Sequence, residues 1–289
     1  MTKYNFNRAC IYGAGAIGGW IGGRLAGAGC QVSVVARGAT LDALTRYGLR
    51  LREAGLDTAW PVQASASPAE LGVQDLVVIA VKAPALLEVA RQIGPLIGPD
   101  TVVLTAINGV PWWFLHRFGG RYENSRLRAV DATGEIGAAI PAASVIGCVV
   151  HASCSQEAPG CVQHHFGSKL IIGEPSGVKT ERVTQLATLL VSAGFDASVS
   201  DQIQKDTWYK LWGNMTVNPI SDITGATTDL ILGDELVRGF ASSVMLEAKE
   251  IDALVTVVKE LAMLTGVPTP FTDVLLGLSR LQARVRGLY

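Results

Sequence analysis

Gly13-Ala14-Gly15-Ala16-Ile17-Gly18 follows the apolar run Ala9-Cys10-Ile11 and opens a segment whose apolar residues recur at helical spacing. In a G-x-G-x-x-G turn the first glycine makes the tight bend, and the second leaves no Cβ between the backbone and a pyrophosphate. The third lets the following helix lie close to the strand. The helix start then presents unpaired N–H groups and the positive end of its dipole to the phosphates. The motif is short, and a chain with 32 glycines can match it by chance. Its surroundings are more specific. Ile17, Ile21 and Leu25 share one helix face, Gly27 and Gly29 end the helix, and Gln31 to Ala36 (QVSVVA) reads as the next buried strand. This strand–turn–helix–strand order predicts a dinucleotide site built on Gly13, Ala14, Gly15, Ala16, Ile17 and Gly18.

The residue after the second strand selects the nucleotide. An acid there suits the ribose 2′-hydroxyl of NAD, and a cation suits the 2′-phosphate of NADP. The position holds Arg37, and no Asp or Glu occurs between Gly13 and Asp42. Planar guanidinium matches phosphate geometry, so the sequence favours NADPH; the other reading of Arg37 is a solvated arginine that ends the strand.

The chain has 289 residues, enough for two domains and for burying about three quarters of its unfolded surface. Lys+Arg 24 against Asp+Glu 25 leaves a net charge of -1, and no basic run would follow a phosphate backbone, so no nucleic-acid partner is expected. Charges such as Lys82 and Glu88 interrupt the apolar stretches before they reach membrane-spanning length. Met1 to Arg8 lacks the apolar core of a signal peptide, and the five cysteines suit reduced thiols, so a cytoplasmic protein is expected. His151-x-x-Cys154 and Cys161-x-x-His164 have residue types that zinc prefers. Both lie beside strand-like runs, where a three-residue spacing sends side chains to opposite faces, so no metal is expected.

Asp75 to Val81 (DLVVIAV) reads as a strand buried on both faces of a parallel sheet, Pro84 to Ile93 as the next crossover helix, and Thr101 to Ile107 (TVVLTAI) as the following strand. The repeating strand–helix order implies a doubly wound α/β sheet with ligands at the carboxyl ends of its strands. Lys82 and Asn108 stand at two such ends, where they are either site residues or turn chemistry. Pro111 starts an aromatic patch, Trp112-Trp113-Phe114, read as the first turn of a helix whose three rings cannot all face one core. A domain boundary near Ser200 separates residues 1–200 from a helical 201–289. Ile203 to Asn218 reads as one helix that Pro219 ends or kinks. On it Lys210, Asn214 and Asn218 recur every four residues, forming a polar stripe about 12 Å long. That stripe is either a solvent face or a site lining.

These residues carry a resemblance. Gly13 to Gly18, Arg37, Val81-Lys82-Ala83, Asn108-Gly109-Val110 and above all Lys210-Leu211-x-x-Asn214-x-x-x-Asn218-Pro219 resemble the ketopantoate reductases, or 2-dehydropantoate 2-reductases. The resemblance implies a Rossmann-type domain that binds NADPH and an all-α domain, with a small 2-oxo acid bound between them. Lys210 matches the family's catalytic lysine. Asn214 and Asn218 match its substrate-side asparagines, Glu250 its substrate-binding glutamate, and Lys82 and Asn108 its cofactor and active-site contacts.

The chain departs from the family pattern in its helical half. Only 90 residues run from Ser200 to Tyr289, several tens fewer than in the family, and two family helices look fused at Glu250. The segment lost there carries a substrate-binding serine; Ser242-Ser243-Val244-Met245 only resembles it superficially. Loss of packing partners predicts exposed apolar positions at Leu254, Val257, Val258 and Leu261, which a homodimer would cover. Two further readings follow: an NADPH-binding protein that no longer reduces, and a reductase of another 2-oxo acid.

Overall fold

β1 (Arg8–Tyr12) and β2 (Gln31–Val35) pair in parallel, from Arg8 opposite Gln31 to Tyr12 opposite Val35, and α1 (Ala16–Gly27) crosses between them. The structure, a computed structural model, describes residues 4–251 and 255–287, except the side chains of 248–251 and 255–259. After β2 come α2 (Gly38–Tyr47), the antiparallel pair β3 (Leu49–Glu53) and β4 (Leu56–Trp60), and β5 (Gln63–Ser65). Next are β6 (Leu76–Ile79), α3 (Leu86–Gln92), β7 (Val102–Thr105) and the short α4 (Glu135–Ala139). The long hairpin β8 (Val145–Ala158) and β9 (Cys161–Gly173), then α5 (Glu181–Ser192) and β10 (Asp196–Val199), complete this part.

Read from one edge, β5, β2, β1, β6, β7 and β8 are parallel neighbours, the order of a doubly wound dinucleotide-binding sheet. β9 returns antiparallel to β8, and its other edge carries β3 and β10 in parallel. Every residue of β6 is fully buried, as its unbroken Leu-Val-Val-Ile run requires of a strand covered on both faces. Trp20, Ile21 and Leu25 of α1 are fully buried in the same core. The glycines beside them let the helix lie close: a Cβ at Gly22 would stand 2.8 Å from Ile11, and one at Gly19 would stand 2.6 Å from Val162.

The aromatic patch differs from the sequence expectation. Residues 112–117 form turns rather than a helix, and Trp112, Trp113 and Phe114 are all buried. Without helical periodicity, consecutive rings can point to different partners. Trp112 Nε1 donates to the Ile140 carbonyl (3.0 Å), and Trp113 Nε1 donates to Thr105 Oγ1 (3.2 Å).

The chain divides into two compact units, Met1–Arg126 with Thr133–Gln204 and Leu127–Ala132 with Lys205–Tyr289. The second is helical: α6 (Ile203–Thr224) enters it at Lys205, followed by α7 (Thr228–Gly233), α8 (Glu235–Ile251), α9 (Val255–Thr265) and α10 (Pro270–Val285). Pro219 does not end α6, which runs five residues beyond it. A proline inside a helix removes one hydrogen bond at a cost of about 3 kcal/mol. Here Met215, Thr216 and Ile220 are buried on both sides of it, and that packing offsets the loss. Trp212 Nε1 of α6 donates to the Met245 carbonyl of α8 (2.7 Å). Glu260 of α9 accepts from the backbone N–H groups of Arg128 (2.9 Å) and Ala129 (2.8 Å), which draws the 127–132 segment into this unit. Leu261, expected to be exposed, is buried, while Leu254 and the side chains of Val257 and Val258 lie outside the described residues. Among the described residues no helix is long and apolar enough to cross a membrane.

Candidate active site

At the carboxyl end of β1 a cavity of about 280 Å³ opens between the glycine turn, the end of β2 and the start of α3. Gly13, Ala14, Gly15 and Arg37 line it together with Tyr12, Val81 and Glu88. Gly13 has φ +98°, and a Cβ there would meet Val81 at 2.7 Å. A Cβ at Gly18 would land on the Gly13 carbonyl oxygen, so this glycine seats the helix. At Gly15, by contrast, a Cβ would meet no protein atom within 4 Å. The methyl group would project into the space beside the helix start, which is the room a pyrophosphate needs. Ala16, Ile17 and Gly18 form the first turn of α1 and do not line the cavity.

Arg37 sits at the N-cap position of α2, its backbone extended, with its guanidinium on residues of α3. Nη1 is 2.8 Å from Glu88 Oε1, and Nη2 donates to Gln92 Oε1 at 3.4 Å. The Tyr12 hydroxyl also reaches Gln92 Oε1, at 3.5 Å. Burial raises the Tyr12 phenol above its ordinary pKa, partly offset by the Arg37 charge and reinforced by Glu88, so the hydroxyl keeps its proton and donates. Sequence reasoning passed over Tyr12, Glu88 and Gln92. The only local signal was that Glu88 and Gln92, one helical turn apart, put two polar groups on one side of the helix that follows Lys82.

Lys82 and Asn108 are exposed and do not line this cavity. They share an edge of the sheet nonetheless. Ile79 of β6 pairs with Thr105 of β7, and Lys82 and Asn108 each follow one of these two residues by three positions. Lys210, Asn214 and Asn218 lie on α6 in three successive turns; the first two are half-buried and Asn218 is exposed. Trp208, Leu211 and Met215 of the same helix are buried. Glu250 belongs to α8, but its side chain lies outside the described residues.

Among the described residues no group of three or more His, Cys, Asp or Glu side chains is placed to hold a metal ion. Cys154 and His164 face each other across the β8–β9 ladder. Burial, with Glu53 adding to it, pushes the Cys154 thiol up to about 12, so it is a protonated, unreactive thiol at neutral pH.

Residues 9–177 match the family model of the ketopantoate reductase PanE/ApbA, and residues 202–251 match the model of that family's C-terminal region. The chain belongs to the ketopantoate reductase family. A 2-dehydropantoate 2-reductase of Mesorhizobium japonicum is 43% identical, the alignment covering 96% of this chain and 98% of that protein. That alignment runs over 321 positions against the 289 residues of this chain, so at least 32 positions of the relative have no counterpart here. The C-terminal match stops at residue 251, beside the Glu250 junction inferred from the sequence.

Solved structures carry the same architecture. A ketopantoate reductase-like protein of Ralstonia solanacearum MolK2 superposes with a TM-score of 0.95 at 48% identity, covering 99% of this chain and 100% of that one. A D-mandelate dehydrogenase solved with NADH and anilino(oxo)acetate shares the fold at 18% identity, with a TM-score of 0.81, covering 96% and 98% of the two chains. As a ketopantoate reductase family member the chain is an oxidoreductase with a dinucleotide-binding, Rossmann-type domain and a helical C-terminal domain.

Proposed function

We propose that this chain reduces 2-dehydropantoate to pantoate with NADPH, as a cytoplasmic enzyme of pantothenate biosynthesis. The observation that carries the cofactor choice is Arg37 on the rim of the Gly13–Gly15 cavity, a guanidinium where an NAD-preferring site would hold an acid. The residues fit such a cofactor: Gly15 leaves its Cβ space open beside the start of α1, and Arg37 supplies the cation for a 2′-phosphate.

Bound NADPH supplies the hydride that reduces the keto carbon. The chain's residues then manage the charge that builds on the keto oxygen. Lys210, as an ammonium, stabilises that oxygen and donates its proton to it. Asn214 and Asn218, on the same side of α6, hold the substrate's hydroxyl and carboxylate in place, and fixed orientation is itself a large part of the rate. Glu250 takes a substrate-binding role by resemblance, and Lys82 and Asn108 complete the cofactor side from the ends of β6 and β7.

The test is NADPH oxidation by the purified chain with ketopantoate and a panel of other 2-oxo acids, alongside Lys210→Ala. Ketopantoate-dependent turnover that falls at least about 100-fold in the variant supports the reading. The 32 or more missing positions favour a second one, an NADPH-binding protein without reductase activity. NADPH binding with no turnover on any acid would decide for it, and turnover on another acid alone would reassign the substrate.

A further inference from the structure

Arg37 is already engaged by an anion. Glu88 stands one turn before Gln92 on α3, lines the same cavity as Gly13 and Gly15, and places Oε1 2.8 Å from Arg37 Nη1. Gln92 holds the pair together from the side: its Oε1 accepts from Arg37 Nη2 at 3.4 Å, and its Nε2 donates to Glu88 Oε1 at 3.3 Å. Between them the Glu88 carboxylate and the Gln92 amide oxygen take the two guanidinium nitrogens that a phosphate would otherwise meet.

The pair contributes little to the fold. Both side chains are about half exposed, at 54% and 52%, and solvent screens an ion pair of that kind. Its position matters more. A 2′-phosphate that reaches Arg37 must displace the half-exposed Glu88 carboxylate into solvent, whereas a dinucleotide without that phosphate leaves the pair undisturbed.

We infer that Glu88 is a specificity-determining residue that opposes Arg37: the arginine selects the phosphorylated dinucleotide, and the glutamate across from it narrows that preference. The inference rests on the reading of Arg37 as the 2′-phosphate ligand. Removing the charge from Glu88 therefore sharpens selection for NADPH over NADH, and it does so only while Arg37 is present.

Equilibrium binding of NADPH and NADH to the full chain, followed by nicotinamide fluorescence, tests this without requiring turnover. The proteins are wild type, Glu88→Gln, Arg37→Gln and the double variant, each checked for an unchanged melting temperature. Glu88→Gln is expected to tighten NADPH binding about fivefold and leave NADH within about twofold, widening the ratio of the two dissociation constants. Arg37→Gln is expected to bring the ratio close to one, and adding Glu88→Gln to it should then change nothing, because the two act through each other. A ratio that collapses in Arg37→Gln but stays at the wild-type value in Glu88→Gln overturns the role of Glu88 and leaves the NADPH reading standing. A wild-type ratio retained in Arg37→Gln overturns the NADPH reading itself.

Discussion

Glu247 of α8 accepts both the backbone N–H (2.8 Å) and the hydroxyl (2.7 Å) of Thr272 in the first turn of α10. Its other oxygen takes the N–H of Phe271 at 2.8 Å. Thr269, at the N-cap position of α10, makes no side-chain capping bond of its own, so the cap comes from another helix. Thr272 is fully buried and Glu247 nearly so, which removes water as a substitute partner. Glu247→Ala is expected to destabilise the protein by about 3 kcal/mol, since it strands buried donors, and Glu247→Gln by about half of that. Urea unfolding of the full chain measures both, and an alanine variant as stable as wild type would refute the cap.

Gly15 and Gly18 belong to one motif but predict opposite failures. A Cβ at Gly18 meets backbone, the Gly13 carbonyl oxygen, which cannot rotate away as a side chain would. Gly18→Ala should lower stability by roughly 2 kcal/mol, with dinucleotide affinity falling because α1 shifts. A Cβ at Gly15 meets nothing in the protein. Gly15→Ala should therefore melt with the wild type and still bind dinucleotide about tenfold more weakly, the methyl filling space the phosphates need. Melting temperature and dinucleotide titration on the two variants separate the roles; equal behaviour in both would sink the distinction.

What could be read in the sequence was local. The run from Ala9 to Ala36 and the stripe Lys210, Asn214, Asn218 announced themselves because their signals fall within a few turns of one helix or strand. Pro219 left two outcomes open, an end or a kink, because its cost is local while the burial of Met215 and Ile220, which lets the helix run on, is tertiary. Trp112 to Phe114 have no period to read, and their partners, Ile140 and Thr105, come from other segments. The β8–β9 hairpin extends well past its apolar start, into residues such as Ser155 and Gln156 that carry no strand-like alternation. The same limit hid the Arg37–Glu88 and Glu247–Thr272 pairs, which exist only once distant segments are brought together.

The thiols make a chemical prediction. Burial pushes Cys10 up to about 11 and Cys154 to about 12, so neither supplies appreciable thiolate near neutral pH. Native protein at pH 8 should alkylate at these two positions at least about 100-fold more slowly than the denatured chain, in which all five cysteines react. Mass mapping after a timed pulse of iodoacetamide gives the site-by-site rates. Fast labelling of Cys154 in the native state would contradict the environment described for it.

Glu53 links acid stability to the β3–β9 edge of the sheet. Its carboxylate accepts from Arg24 Nε (3.2 Å) and Nη2 (2.5 Å) and faces His164 Nδ1 at 2.8 Å. Burial alone would raise its pKa, but the hydrogen bonds and charge of Arg24, with His164 adding, outweigh that and hold it below the ordinary 4.5. A carboxyl depressed on folding stabilises the native state above its unfolded pKa, and that contribution is lost as pH falls through the lower folded value. Wild-type stability should therefore drop more steeply than that of Glu53→Gln as pH is lowered from about 4.5 to 3, the two curves converging at the acid end. Near pH 7 the glutamine variant should be the less stable, since Arg24 keeps only part of its hydrogen bonding. Urea unfolding at half-unit steps of pH supplies both curves, and parallel slopes through the acid range would mean that the Arg24–Glu53 pair does not hold the carboxylate in solution.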